Sequence, residues 1–274
     1  MSDRVLCTIT DGVADVRMNR PEKINALDGA MFSALVEIGE SLKTDTSVRA
    51  VVLSGEGRGF CAGLDFGSFQ AMAGGGADRV LPTTGDPDDP SKMPGKITHQ
   101  GQQACWVWQE IPVPVIAAVH GVALGGGCQI ALGADMRYVT ADAQLSVLEI
   151  RWGLIPDMTG TQMLPRLVGL DVAKDLTFSG RMVRGEEAVA IGLATRVCVN
   201  PREDALAAAH EIAAKSPEAI RGAKALLNMA GQVSIAEGFA AERKGIRALI
   251  GSPNQVEAVT AFFEKRPATY SDAQ

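Results

Sequence analysis

No run of about 18 apolar residues, the length a membrane-spanning helix needs, occurs in this 274-residue chain, so no membrane span is expected. Its start, MSDRVLCTIT, lacks the apolar core of a secretory signal, and a cytoplasmic location is expected. Lys and Arg form no block. With 26 basic against 32 acidic residues the net charge is −6, so a nucleic-acid partner is not expected. The five cysteines, Cys7, Cys61, Cys105, Cys128 and Cys198, are odd in number, widely spaced and without a C-x-x-C pair. That argues against a disulfide framework or a zinc site and reads as reduced thiols. His99, His120 and His210 have no partners at metal or triad spacing, and no metal site is expected. There is no G-x-x-x-x-G-K-[ST] phosphate loop. Gly55, Gly57 and Gly59 make G-x-G-x-G, not the dinucleotide spacing.

What is present is an ordinary globular composition, 46% hydrophobic and 21% charged, in a chain long enough to bury a sizeable core. Residues 5–19 read as a hairpin around Asp11-Gly12. Asp28 to Lys43 reads as a helix capped by Asp28, with Met31, Leu35, Ile38 and Leu42 as its apolar stripe. Arg49 to Ser54 and Val113 to His120 read as buried strands, and glycine-rich stretches follow each, Gly55 to Gly67 and Gly125 to Gly127. The strand, glycine loop and helix recur, which points to an α/β fold with helices outside a sheet. Residues 71–100 are rich in Gly, Pro and Asp and have no periodicity; they read as a lid-like loop. From residue 201 the chain is helix-forming almost throughout, with Ser216-Pro217, Ser234 and Ser252-Pro253 as helix starts. The expected organisation is a core over 1–200 and a helical oligomerisation region over 201–274.

Two segments carry chemistry. GFCAGLD (59–65) and ALGGGCQ (123–129) each put small residues after a buried strand. Glycine lets a ligand approach the backbone, and an N–H opening a helix is an unpaired donor. Two such groups aimed at one point would make an oxyanion hole.

These stretches, together with NRPEKINAL (19–27), VRAVVLSGEGRGFCAGLD (48–65), PVPVIAAVHGVALGGGCQIALGAD (112–135), LEIRWGLIPDMTGTQMLPRLVG (148–169) and AFFEKR (261–266), closely resemble the crotonase (enoyl-CoA hydratase/isomerase) superfamily, in the same order over nearly the whole chain. The resemblance implies a spiral of ββα units followed by helices that build a homotrimer or a dimer of trimers. It implies an acyl-CoA thioester as substrate and no metal or redox cofactor. Carried over by position, the oxyanion donors are the backbone N–H groups of Leu64 and Gly126. The CoA contacts are the backbone around Ala62, running on to Asp65, with Lys23, and Lys265 from a neighbouring subunit, for the phosphates.

Family hydratases place one glutamate just after the glycine run and a second 20 residues later. Here the first position is Gln129 and the second is Glu149, in register. An amide cannot accept a proton at neutral pH, although it can orient water or a substrate. Asp157, eight residues after Glu149, completes a Glu–Asp pair resembling that of the dienoyl-CoA isomerases. An apolar lining from Trp152, Leu154 and Ile155 would keep one carboxyl protonated. The other use of Asp157 is as a helix cap. The expected activity is double-bond isomerisation through Glu149 and Asp157 with Gln129 as a neutral orienting group. The alternatives are hydration of a 2-enoyl-CoA by Glu149 alone and a catalytically weak acyl-CoA binder.

Overall fold

A computed structural model describes residues 3–73 and 92–273. β1 (Val5–Thr10) and β2 (Val13–Met18) form the hairpin read from the sequence, antiparallel with Thr10 opposite Val13. Asp11 and Gly12 turn with φ of 49° and 77°, the geometry whose twist matches the flanking strands. α1 (Gly29–Thr44) begins where Asp28 accepts the N–H of Met31, and its stripe is enclosed at Met31, Leu35 and Leu42, with Ile38 partly so.

β3 (Ala50–Gly55), β4 (Val115–Val119), β6 (Met136–Val139) and β9 (Arg196–Val197) follow β2 as parallel neighbours, giving one sheet in the order β1-β2-β3-β4-β6-β9. The inner strands are continuously apolar because both faces are covered. Val51, Leu53, Val115, Ala117 and Val119 face the main core. The alternate residues Ala50, Val52, Ile116 and Ala118 meet Ala205, Ala209 and Ala213 of the helix Pro201–Ala213 (α8). After β4 and after β6 the chain crosses to a smaller layer, where β5 (Val122–Leu124), β7 (Gln144–Ser146) and β8 (Val183–Arg184) lie side by side. Single bridges extend this layer, Cys61 with Ala123 and Leu64 with Leu27. The other helices before α8 are α2 (Phe66–Ala73), α3 (Gln100–Glu110), α4 (Gly126–Gly133), which is buried in the main core, α5 (Gly160–Val168), α6 (Leu170–Ser179) and α7 (Gly185–Ala190). The result is the α/β spiral of ββα units.

Of the stretch 71–100, residues 71–73 complete α2 and 92–99 form turns leading into α3; the lid expectation otherwise lies outside the described residues. His99 caps α3, its Nδ1 accepting the N–H groups of Gly101 and Gln102. Among the described residues, no helix is long and apolar enough to cross a membrane.

α9 (Pro217–Met229), α10 (Ile235–Leu249) and α11 (Pro253–Glu264) follow α8, with Ser216, Ser234 and Ser252 at their N-caps. Lys224 of α9 is buried, and its Nζ meets the carbonyls of Trp108 and Val113 and the carboxylate of Asp135 at 2.7–3.1 Å. Every donor of the buried ammonium therefore has an acceptor, which compensates for desolvation. α10 and α11 leave Ile235, Phe239, Ile246, Phe262 and Phe263 exposed.

Candidate active site

The loop after β3 is held from three sides. Asn25 is fully buried; its Nδ2 donates to the carbonyls of Glu56, Gly59 and Phe60, and its Oδ1 accepts the N–H of Arg20. The Cys61 N–H donates to the Val122 carbonyl and the Leu124 N–H to the Cys61 carbonyl. The Leu27 N–H donates to the Gly63 carbonyl and the Asp65 N–H to the Leu27 carbonyl. These bonds use the groups on either side of Leu64 and leave its own N–H out. Gly126 opens α4, so its N–H has no acceptor within the helix. Among the described residues, no backbone carbonyl accepts from Leu64 or Gly126. Gly63 has φ +87°, and a Cβ there would lie 2.6 Å from the Leu124 oxygen and 3.9 Å from the Gly126 nitrogen. Only glycine lets the two loops lie edge to edge.

Gln129, in the first turns of α4, has no solvent exposure. Its Oε1 accepts the N–H groups of Met158 at 2.9 Å and Gly160 at 2.8 Å. Backbone N–H groups can only donate, so the amide has one orientation. Its Nε2 then faces Glu149 and donates to Oε1 at 2.6 Å. Glu149 opens the helical turn Glu149–Trp152, which lies over Gly125: a Cβ at Gly125 would come within 3.3 Å of Glu149 Oε1. The residue is 8% exposed, and its Oε2 is buried without a hydrogen-bond partner. Burial pushes its carboxyl above the usual range; its own backbone N–H and the Gln129 amide oppose that, and the Asp157 charge adds to it.

Asp157 is exposed and, among the described residues, makes no side-chain hydrogen bond, yet its charge reaches Glu149. α5 is entered through Thr159, at φ 76° and with no side-chain cap bond, so the chain does not use Asp157 as that helix's cap. The apolar lining expected from Trp152, Leu154 and Ile155 does not form within the single chain, where they are 53%, 37% and 71% exposed. Glu149 is nonetheless enclosed, with its Oε1 against Gly125 and the Gln129 amide. Among the described residues, the site thus holds two unpaired backbone donors, one enclosed carboxyl with a single free oxygen, and one solvent-facing carboxylate.

The family model for enoyl-CoA hydratase/isomerase matches residues 13–271. The chain belongs to this family. It is 33% identical over 266 residues to the mitochondrial methylglutaconyl-CoA hydratase of Homo sapiens, covering 94% of this chain and 74% of that protein. It is 33% identical over 259 residues to the short-chain-enoyl-CoA hydratase of Clostridium acetobutylicum, covering 93% and 92%. Among solved structures, the enoyl-CoA hydratase of Bacillus anthracis superposes with a TM-score of 0.86 at 30% identity, covering 97% of this chain and 98% of that one.

The other residues singled out for this enoyl-CoA hydratase/isomerase family member are more scattered. Ala62 donates its N–H to the Ile24 carbonyl at 2.9 Å, on the same loop as Leu64. Asp65 accepts the Gly67 N–H at the start of α2 and a 2.8 Å bond from Arg20, which together hold its carboxyl below the usual range. Both of its oxygens are therefore engaged within the chain. Lys23 is exposed in a helical turn (Pro21–Lys23), and Lys265 is exposed at the end of α11 with φ 54°. His120 hydrogen-bonds the Gly57 carbonyl at 2.8 Å. All five cysteines are free thiols, and burial pushes Cys61, which lies against Gly127 of α4, and Cys128, within α4, up to about 12. Asn25 escaped sequence reading. Its left-handed φ of 54° is one asparagine tolerates, but nothing in I-N-A-L signals three carbonyl contacts more than 30 residues away.

Proposed function

We propose that this protein isomerises a double bond along an unsaturated acyl-CoA, with Glu149 and Asp157 carrying the protons. The observation that carries the reading is Asp157: it is unpaired, solvent-facing, within electrostatic reach of Glu149 and not needed as a helix cap. The thioester oxygen sits against the N–H groups of Leu64 and Gly126, where the negative charge of the dienolate accumulates. Losing one such donor typically costs about 3 kcal/mol of barrier. Asp157 takes a proton from the carbon next to the carbonyl, and Glu149, whose protonated form burial favours, delivers one from Oε2 at the far end of the conjugated system. The acyl chain loses one proton and gains one, no bond to the thioester changes, and the resting state returns when Asp157 gives its proton to solvent and Glu149, left ionised, takes one up. Gln129 stays neutral and orients Glu149. This chemistry needs no redox or metal group, because the backbone donors polarise the carbonyl. The CoA portion lies along Ala62 and Asp65, with Lys23 and a neighbouring subunit's lysine at position 265 for the phosphates. The exposed apolar residues of α10 and α11 support an oligomer built by 201–274, a homotrimer or a dimer of trimers.

The second reading, hydration of a 2-enoyl-CoA on Glu149 alone, is favoured by the hydratase names of the relatives. Paired ultraviolet assays separate the two. Formation of a 2,4-dienoyl chromophore from a 3,5-dienoyl-CoA, lost in Glu149→Gln and in Asp157→Asn, supports isomerisation. Loss of the conjugated 2-enoyl thioester that survives Asp157→Asn assigns hydration to Glu149. Binding without turnover of either ester leaves an acyl-CoA binder.

A further inference from the structure

Resting on the acyl-CoA reading above, we propose that Met158 is a specificity-determining residue whose thioether closes the acyl end of the site, making this a protein for short acyl chains. A Cβ at Gly126 would lie 2.8 Å from Met158 Sδ, 3.3 Å from Met158 Cε and 2.9 Å from Leu27 Cδ1. The tip of Met158 and the side chain of Leu27 therefore abut the backbone donor that would hold the thioester oxygen. The stem of Met158 runs the other way: a Cβ at Gly101, in the first turn of α3, would lie 3.5 Å from Met158 Cγ. One side chain thus spans the gap between α4 and α3. It is 8% exposed, and its backbone N–H is pinned by Gln129 Oε1. Glu149 stands over Gly125, one residue back along the same loop, so the reacting carbons lie between Glu149 and Met158. Acyl carbons beyond the reacting ones meet the thioether. Truncating it opens the space that Sδ and Cε fill beside Gly126, while the His99 ring, 3.0 Å from where a Cβ at Gly101 would lie, bounds that space on the α3 side.

The test is calorimetric binding of saturated acyl-CoA thioesters, butanoyl through decanoyl, with free CoA as the baseline, to the wild-type protein and to Met158→Ala. A buried methylene strengthens binding about fourfold. In the wild type, octanoyl-CoA is expected to bind no more tightly than butanoyl-CoA. In Met158→Ala the octanoyl ester is expected to gain at least about tenfold over the butanoyl ester, which is less than full burial of four methylenes would give. An equal octanoyl-to-butanoyl ratio in the two proteins overturns the proposal, as does a steady gain with chain length in the wild type. Should Met158→Ala fail to fold, Met158→Val also removes Sδ and Cε and is held to the same ratios. Esters that bind no better than free CoA in both proteins overturn the acyl-CoA reading itself, whereas chain-length-independent binding well above free CoA in both overturns only the role of Met158.

Discussion

Replacing Gln129 with glutamate restores the residue that family hydratases carry at this position, and the geometry makes the outcome calculable. In Gln129→Glu one carboxylate oxygen keeps the bonds from the Met158 and Gly160 N–H groups, so the loop is held as before. The other oxygen takes the place of Nε2, which now sits 2.6 Å from Glu149 Oε1. A donor facing an acceptor becomes two acceptors face to face. With charge centres about 4 Å apart and an effective dielectric of about 20, two ionised carboxylates repel by about 4 kcal/mol. The pair escapes by holding one proton between them, and 4 kcal/mol corresponds to about three pKa units at 1.36 kcal/mol each. The folded pKa is thus raised above the unfolded value. Stability is intact below the unfolded carboxyl pKa and is lost as pH rises through the folded one. Urea unfolding at pH 5, 7 and 9 should show the variant near the wild type at pH 5 and falling behind it by about 4 kcal/mol at the alkaline end. A wild-type-to-variant difference that stays constant from pH 5 to 9 would refute the argument, because it would mean that the two carboxylates do not share a proton.

Glu149→Gln removes a carboxyl whose folded pKa lies above its unfolded value, with burial as the leading cause. The wild type should lose stability as pH rises from about 4.5 through the raised value, and the variant should not, so denaturant midpoints across pH should diverge in the variant's favour. Asn25→Asp keeps the acceptor for Arg20 but sets a carboxylate oxygen against three carbonyls. It should cost about 3 kcal/mol or more, measured by urea unfolding, and slow turnover by loosening the loop that carries Leu64. Lys224→Met leaves Asp135 without its ammonium partner and should cost about 3–5 kcal/mol. Hydrogen exchange should quicken first in α9.

Much of the scaffold is legible in the linear chain because its determinants are local or periodic. The Asp11-Gly12 turn, the Asp28 cap, the apolar strands and the serine caps of the last helices need no partner beyond their own segment. The two glycine loops and the register between Gln129 and Glu149 are legible for the same reason, since spacing along the chain is conserved in folding. The direction a side chain faces is not local. Whether Trp152, Leu154 and Ile155 enclose the site depends on how the turn Glu149–Trp152 seats on the loop ahead of α4, and it seats with Glu149 inward and those residues exposed. The work of Gln129 was equally out of reach. Sequence shows an amide where a glutamate is expected, but only the fold brings the N–H groups of Met158 and Gly160, about 30 residues away, onto its oxygen. That contact turns its nitrogen towards Glu149 and leaves one buried oxygen free. The residue types at this site follow from the sequence; the orientation of each polar atom follows from which distant backbone groups tertiary packing leaves unpaired nearby.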